Sequence, residues 1–261
     1  MSETKIDRPL SGKGIVVTRP AHQAADLVER IAAAGGHAIL FPTIEIIAVS
    51  ESQALTELID RLDTYDIAIF VSPNAVSQAM RLIKARRELP PRLALATIGR
   101  GGVRELERYG AIRVAAPARF DSEALLDLPE MREVAGKRIV IFRGEGGREL
   151  LGDTLTARGA AIEYAQCYRR GRPHVDATPL LKAWERNDLH AITATSSDGL
   201  RNLIELAGKS DSPWLRQTPL FVPHPRIEHS ARELGFATVI LTAQGDAGLV
   251  RGLTQWFAGA R

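Results

Sequence analysis

The sequence has a single cysteine, Cys167, among 261 residues. That excludes an intrachain disulfide and any metal site built on several thiolates. Aromatic residues make up 5% of the chain, too few for base-stacking platforms. Neither sign of charge dominates: 34 basic residues against 31 acidic ones leave a net charge of +3, so a dedicated nucleic-acid binder is not expected. No stretch approaches the roughly 20 apolar residues that cross a bilayer, so no membrane partner is expected either. The opening MSETKIDRPLSGKG lacks the apolar core of a signal peptide. A cytoplasmic protein with Met1–Ser11 as a loose tail is the expectation. Apolar residues at 45% and charged ones at 25% are ordinary for a globular chain, and the length favours two domains.

The clearest organised stretch is GKRIVIFRGEGGRELLGDTLTARGAAIEYAQCYRR, residues 136–170. It reads as a buried strand at Ile139–Phe142, a glycine-rich turn at Arg143–Gly147, and a helix from Arg148 ending at Gly159. A second strand then runs to Tyr168 and the Arg169–Arg170 pair. Residues 12–46 repeat the layout: Gly12, Lys13, Ile15, Arg19, Leu27 and Gly35 stand 124 positions before Gly136, Lys137, Ile139, Arg143, Leu151 and Gly159 (136 − 12 = 124). At the same offset YDIAIFVSPNAV from Tyr65 lines up with LHAITATSSDGL from Leu189, placing Ser72 over Ser196. Both serines suit a helix N-cap. With one inserted residue Gly110 pairs with Gly235, and Asp121 with Asp246. Ser50–Gln53 resembles a capping box before Leu55, Leu58, Ile59 and Leu62; Thr178-Pro179 precedes Leu180, Leu181 and Trp184 at the corresponding place. The chain reads as a duplicated βαβα unit. Strands alternating with helices predict an α/β fold of two similar doubly wound parallel sheets, with ligands beyond the carboxyl ends of the strands.

Several chemistries fail on spacing. Gly144, Gly146 and Glu149, like Gly99, Gly101 and Arg104, miss the third glycine of a dinucleotide fingerprint. Glu163 is at the distance for holding a ribose, but Glu149 in a helix's first turn would repel a pyrophosphate. The six histidines are scattered and without an acidic or cysteine cluster, so no metal site is expected. What remains is a set of strand-to-helix turns: Thr18-Arg19-Pro20, Ser72-Pro73-Asn74, Gly99-Arg100-Gly101, Arg143–Gly147 with Gly144, Ser196-Ser197 and His224-Pro225-Arg226. Any one of them is ordinary turn chemistry. Six in two related halves suit a cleft of backbone donors and arginines holding a flexible polycarboxylate. Tyr168 ends an alternating strand. A packing role is the plainer reading; a proton donor is the sharper one.

In this order VTRP, FVSPNAV, IGRGG, FDSEALL, FRGEGGRELLGDTLTARGA and YAQCYRR resemble the uroporphyrinogen-III synthase family, along essentially the whole chain after the tail. The resemblance implies a cofactor-free lyase of tetrapyrrole (haem) biosynthesis, cyclising hydroxymethylbilane with inversion of the last pyrrole ring. It implies a small-molecule substrate, a monomer, and transient hand-over from the preceding enzyme. Two α/β domains are implied, one formed by 1–40 plus 174–261 and the other by 50–163. Connectors 39–49 and 163–173 would form a two-stranded β ladder between them. Tyr168 matches the family tyrosine that assists departure of the substrate hydroxyl. Arg19, Ser72, Asn74, Gly99, Arg100, Gly101, Arg143, Gly144, Ser196, Ser197 and Arg226 are the substrate-binding candidates. Threonines common at two later helix turns are replaced by Gly102 and Ile227. The alternatives are a hinged binding protein for a small anion and a nucleotide-sugar glycosyltransferase.

Overall fold

A computed structural model describes residues 8–49, 52–119, 121–146, 149–207 and 213–259. Its strands, in chain order, are β1 (Gly14–Val17), β2 (His37–Leu40), β3 (Glu45–Ala48), β4 (Ile67–Phe70), β5 (Ala94–Thr97) and β6 (Val114–Ala115), followed by β7 (Arg138–Gly144), β8 (Ala161–Gly171), β9 (Ala191–Thr193), β10 (Leu220–Val222) and β11 (Val239–Leu241). They form two sheets, with orders β11-β10-β9-β1-β2 and β3-β8-β7-β4-β5-β6. The chain divides into two compact units. One is the chain up to Glu45 together with Gly171 onward; the other is Ile46–Arg170.

Within the first unit the β1 side chains alternate as a period-2 strand requires. Val16 packs with Ile192, Leu200, Leu203 and Val222 on one face. Ile15 and Val17 pack with Leu27, Ile31, Leu249 and Leu253 on the other. The second unit repeats this. Ala68, Phe70, Val140 and Phe142 lie in one core with Val76 and Met80, while Ile67, Ile69, Ile139 and Ile141 lie in the other with Leu151 and Leu155. The central strands are apolar over Ile15–Val17, Ile67–Phe70 and Ile139–Phe142, where both faces are covered, and their pairings are parallel. The stacked rings of Phe70 and Phe142, register partners on β4 and β7, have centroids 4.9 Å apart.

The duplication is visible in the backbone. Gly12 and Gly136 have φ of 71° and 74°, Gly35 and Gly159 of 91° and 88°, Gly110 and Gly235 of 88° and 84°. These left-handed positions favour glycine, and nothing lies within 4 Å of a Cβ added at Gly12, Gly110 or Gly136, so conformation and not crowding selects glycine at those three. Matched by equivalents, the five-stranded sheet has the same order as β6-β5-β4-β7-β8 of the other, which carries β3 in addition, and each sheet draws on both copies. β1 and β2 come from the first copy and join β9, β10 and β11 of the second; β7 and β8 of the second copy join β4, β5 and β6 of the first.

The structure departs from the sequence reading at three places. Within the expected loose tail Leu10 is fully buried, its amide bonded to the Ala34 carbonyl at 3.0 Å, while residues 1–7 lie outside the described residues. The core needs an apolar residue there, as it does at Val134, which stands 124 positions later and is also fully buried. The helix expected before Leu55 is capped by Ser52, whose hydroxyl accepts the Leu55 N–H at 3.2 Å; Ser50 lies outside the described residues. The helix expected from Arg148 spans Leu150–Ala157, and Gly147 and Arg148 lie outside the described residues. The two connector strands of the expected ladder are neighbours, β3 lying beside β8 at the edge of the six-stranded sheet.

Candidate functional site

In the Ile46–Arg170 unit the parallel register brings the carboxyl ends of β4, β5, β7 and β8 to one edge of the sheet. Ser72 follows β4 and caps the helix Pro73–Lys84, its hydroxyl accepting the Ala75 N–H at 3.1 Å. Pro73 and Asn74 open that helix. Gly99 is the N-cap of the helix Arg100–Arg108, and Arg100 is exposed. Gly101 lies where a Cβ would come within 2.9 Å of the Pro73 ring, so the two helix N-termini approach closely because this residue has no side chain. At position 102 the space for a Cβ is filled by the Thr97 hydroxyl, which would be 2.1 Å away and which donates to the Phe70 carbonyl at 2.8 Å.

Tyr168 stands in β8, paired across a bulge with Gly144 of β7. Its side chain is fully buried, in the same core as Phe70 and Phe142. The ring occupies the place where a Gly144 side chain would be: an added Cβ would meet Cε2 and Cζ at 2.8 Å. The phenol oxygen is 3.1 Å from the Ser72 Oγ. The second unit therefore gathers Ser72, Asn74, Gly99, Arg100, Gly101, Gly144 and Tyr168 at one edge.

Arg143 belongs to the same edge but turns back on its own loop. Its guanidinium donates to the Gly146 carbonyl, through Nε at 3.1 Å and through Nη2, and pairs with the Glu149 carboxylate at 3.2 Å. It also lies 4.9 Å from the centroid of the Tyr164 ring. Only 6% of the residue is exposed. Burial, and then the hydrogen bond to Glu149, raises the Tyr164 phenol above its ordinary value. Glu149 and Tyr164 thus organise this loop. Neither was a candidate, although an acid six residues after a strand-end arginine is a legible pairing.

In the other unit the carboxyl ends of β1, β9 and β10 carry the remaining candidates. Arg19 is held by Asp246 at 2.7 Å, both side chains 13% exposed. Asp246 sits in the first turn of the helix Gly245–Gly259. Ser196 caps Ser197–Leu206 through the Gly199 N–H at 2.9 Å, and the Ser197 hydroxyl accepts from Ser230 at 3.0 Å. His224, through Nδ1, caps Pro225–Glu233 by accepting the Arg226 N–H at 3.1 Å, while the Arg226 side chain is exposed. Ile227 is buried in the core, which explains an apolar residue at that turn.

Glu163 has a different setting from the ribose position suggested by its spacing. It accepts from Arg61 at 2.6 and 3.0 Å and from the Tyr65 hydroxyl, with the Arg138 guanidinium 5.0 Å from the Tyr65 centroid. Burial opposes ionisation of Glu163, but the bonds from Arg61 and Tyr65 and the nearby Arg61 and Arg138 charges prevail and lower its pKa. Burial, then the bond to Glu163, pushes Tyr65 up to about 12. Among the described residues no group of three or more His, Cys, Asp or Glu is placed to hold a metal, and no helix is long and apolar enough to cross a membrane.

Comparison with known proteins is consistent along the chain. The family model described as "Uroporphyrinogen-III synthase HemD" matches residues 25–250. The uroporphyrinogen-III synthase of Salmonella typhimurium is 36% identical over 235 residues, which is 89% of this chain and 96% of that protein. The Escherichia coli uroporphyrinogen-III synthase is 35% identical, with the same coverage of each. Among solved structures, a mutant uroporphyrinogen III synthase from Thermus thermophilus superposes with a TM-score of 0.62 at 16% identity, covering 95% of this chain and all of that one. The Helicobacter pylori uroporphyrinogen-III synthetase gives 0.52 at 13% identity, with 95% and 100% covered, so these two speak to the fold. A family match spanning most of the chain, a relative covered almost end to end and a shared fold lead to one conclusion: the chain belongs to the uroporphyrinogen-III synthase family.

Proposed function

We propose that the chain closes hydroxymethylbilane to uroporphyrinogen III with inversion of the last pyrrole ring. The observation that carries this is the family match over residues 25–250. The substrate loses its hydroxyl as water to give an azafulvene. The substituted carbon of the last ring attacks to form a spiro intermediate, which fragments and recloses. The protein has to hold the carboxylates so that the inverted closure outruns the simple one. The helix N-termini at Ser72, Gly99, Ser196 and His224 present backbone N–H groups for this, with Arg19, Arg100 and Arg226 beside them. Asn74, Gly101, Gly144 and Ser197 complete the substrate-binding set, and Arg143 joins it only by releasing the Gly146 carbonyl and the Glu149 carboxylate. Tyr168 is the general acid. Because its side chain is fully buried, the groups over it must part before its hydroxyl meets substrate.

The same reading takes residues 1–40 plus 174–261 and residues 50–163 as the two domains, with residues 39–49 and 163–173 as connectors. It has the chain working without a cofactor, as a cytoplasmic monomer, and receiving the bilane from the preceding enzyme. The test is the isomer made from hydroxymethylbilane, analysed after oxidation to the porphyrin. Type III is expected; type I alone, the uncatalysed product, would overturn the reading. Tyr168→Phe should lower kcat by about tenfold or more, with a smaller effect on KM. Unchanged turnover would assign Tyr168 to packing.

A further inference from the structure

The duplication supplies an internal comparison for Ser72. Ser72 and Ser196 are equivalent caps, each accepting the N–H three residues on, at 3.1 Å from Ala75 and 2.9 Å from Gly199. Capping uses one lone pair of the hydroxyl oxygen and leaves its proton unassigned. The partner of that proton is where the two copies differ. In one unit Ser72 Oγ lies 3.1 Å from the Tyr168 hydroxyl. In the other, the residue 124 positions before Tyr168 is Ile44. Its Cδ1 packs against the capped turn, 3.4 Å from the place of a Cβ on Gly199; the Thr43 hydroxyl is nearer, at 3.0 Å from that place, but donates to the Thr18 carbonyl at 3.1 Å. The Tyr168 contact is therefore something beyond the capping that both serines perform.

We propose that Ser72 is a positioning residue for Tyr168, donating its hydroxyl proton to the phenol oxygen and leaving the phenol's own proton for the substrate. The inference rests on the function proposed above. Two features support the direction. The Ala75 N–H takes one of the two lone pairs of Ser72 Oγ and leaves the hydroxyl proton to donate, and the positive end of the Pro73–Lys84 helix favours negative charge developing on the Tyr168 oxygen. In the acid step the Tyr168 O–H bond breaks and its proton passes to the hydroxymethyl oxygen of the bilane. The carbon–oxygen bond then breaks with its electron pair on oxygen, and water leaves. The pyrrole nitrogen lone pair compensates the carbon, giving the protonated azafulvene. The phenolate, held by the Ser72 O–H, regains a proton when ring closure releases one from carbon.

The experiment compares Ser72→Ala, Ser72→Gly and Ser72→Thr, alone and with Tyr168→Phe, in the isomer assay. Glycine retains most of the capping preference and threonine retains the hydroxyl. The expected result is a kcat lowered about tenfold in both the alanine and glycine variants, the scale of one hydrogen bond to a developing charge, with KM within about twofold. Threonine should restore kcat. In the Tyr168→Phe background the Ser72→Gly effect should vanish. Melting temperature separates the cap: Ser72→Ala should fall as far as Ser196→Ala, and Ser72→Gly should fall less. A Ser72→Gly loss of equal size with and without the phenol, or a rise in KM at unchanged kcat, overturns the positioning role alone. A wild-type protein that makes only type I overturns this inference together with the function on which it rests.

Discussion

Replacing Gly144 by alanine tests the packing that holds Tyr168. The added Cβ would sit 2.8 Å from two ring carbons and 3.2 Å from the phenol oxygen, closer than carbon atoms tolerate. The ring is fully buried in a core that includes Phe70 and Phe142, so it has no open space into which to retreat. Overpacking of this kind costs about 1–3 kcal/mol. With a urea slope of about 1–3 kcal/mol per molar, that is a midpoint shift of about 1 M. The chain provides a local probe, because its single cysteine, Cys167, is buried beside Tyr168 in the same core. The urea dependence of Cys167 alkylation therefore reports this unit, whereas the three tryptophans, Trp184, Trp214 and Trp256, all lie in the other. Gly144→Ala should move the alkylation midpoint down by about 1 M. In a Tyr168→Ala background, where the ring is gone, the same change should cost close to nothing. An equal loss in both backgrounds, or no loss in either, would refute the argument that Gly144 is glycine because of Tyr168.

The thiol makes its own prediction. Burial pushes Cys167 up to about 12, so at pH 8 only on the order of one buried thiol in ten thousand is ionised. Labelling of the native protein should be slow and should speed up on adding denaturant; rapid stoichiometric labelling without denaturant would contradict the buried placement. The Glu163 cluster predicts a pH dependence at both ends. The folded pKa of Glu163 is lowered, so its contribution is present above the ordinary carboxylate value near 4.3 and is lost as pH falls through the folded value. Tyr65 is raised to about 12, so its contribution is present below about 10 and is lost as pH rises from there toward 12. Glu163→Gln should cost about 1 kcal/mol at pH 7, discounted for partial exposure of the pair, and the gap should narrow as pH falls below the ordinary carboxylate value of about 4.3. A gap that stays the same size as pH falls would show that the ion pair is not its source.

Much of this fold was legible because the signals that mark it are local. Left-handed glycines, helix-capping serines and aspartates and apolar strands each depend on a few neighbouring residues, so copying the unit copied the marks at a fixed spacing. Leu10 was legible in principle, since its equivalent Val134 also precedes a left-handed glycine by two residues. What could not be read was decided by contacts distant in sequence. Alternation through Ile162–Cys167 put Tyr168 on a strand, but its partner Ser72 is 96 positions away. Nor does a run of Arg, Gly and Glu say whether the arginine points outward. Here Arg143 is drawn inward because the Gly146 carbonyl, the Glu149 carboxylate and the Tyr164 ring together satisfy it.

The exchange of strands between copies explains why the phenol stands in only one of them. In the first copy the run from His37 to Ala48 is broken into β2 and β3, and Pro42 lies in the gap. Proline has no N–H to give a ladder. Its equivalent in the second copy is Gln166, and there β8 continues unbroken from Ala161 to Gly171. Ladder pairing with β7 therefore extends past Arg143 to Gly144, which fixes Tyr168 by backbone bonds; the Glu145 N–H bonds to its carbonyl at 2.8 Å. Ile44, at the corresponding place in the first copy, lies between the strands, with its Cδ1 against the capped turn. An oxygen that must meet a substrate atom within a few tenths of an ångström is better carried by the continuous strand. The symmetric features, glycines and caps, build both sheets. The asymmetric ones, a glutamine in place of a proline and a tyrosine in place of an isoleucine, put the acid of the proposed reaction on one of them.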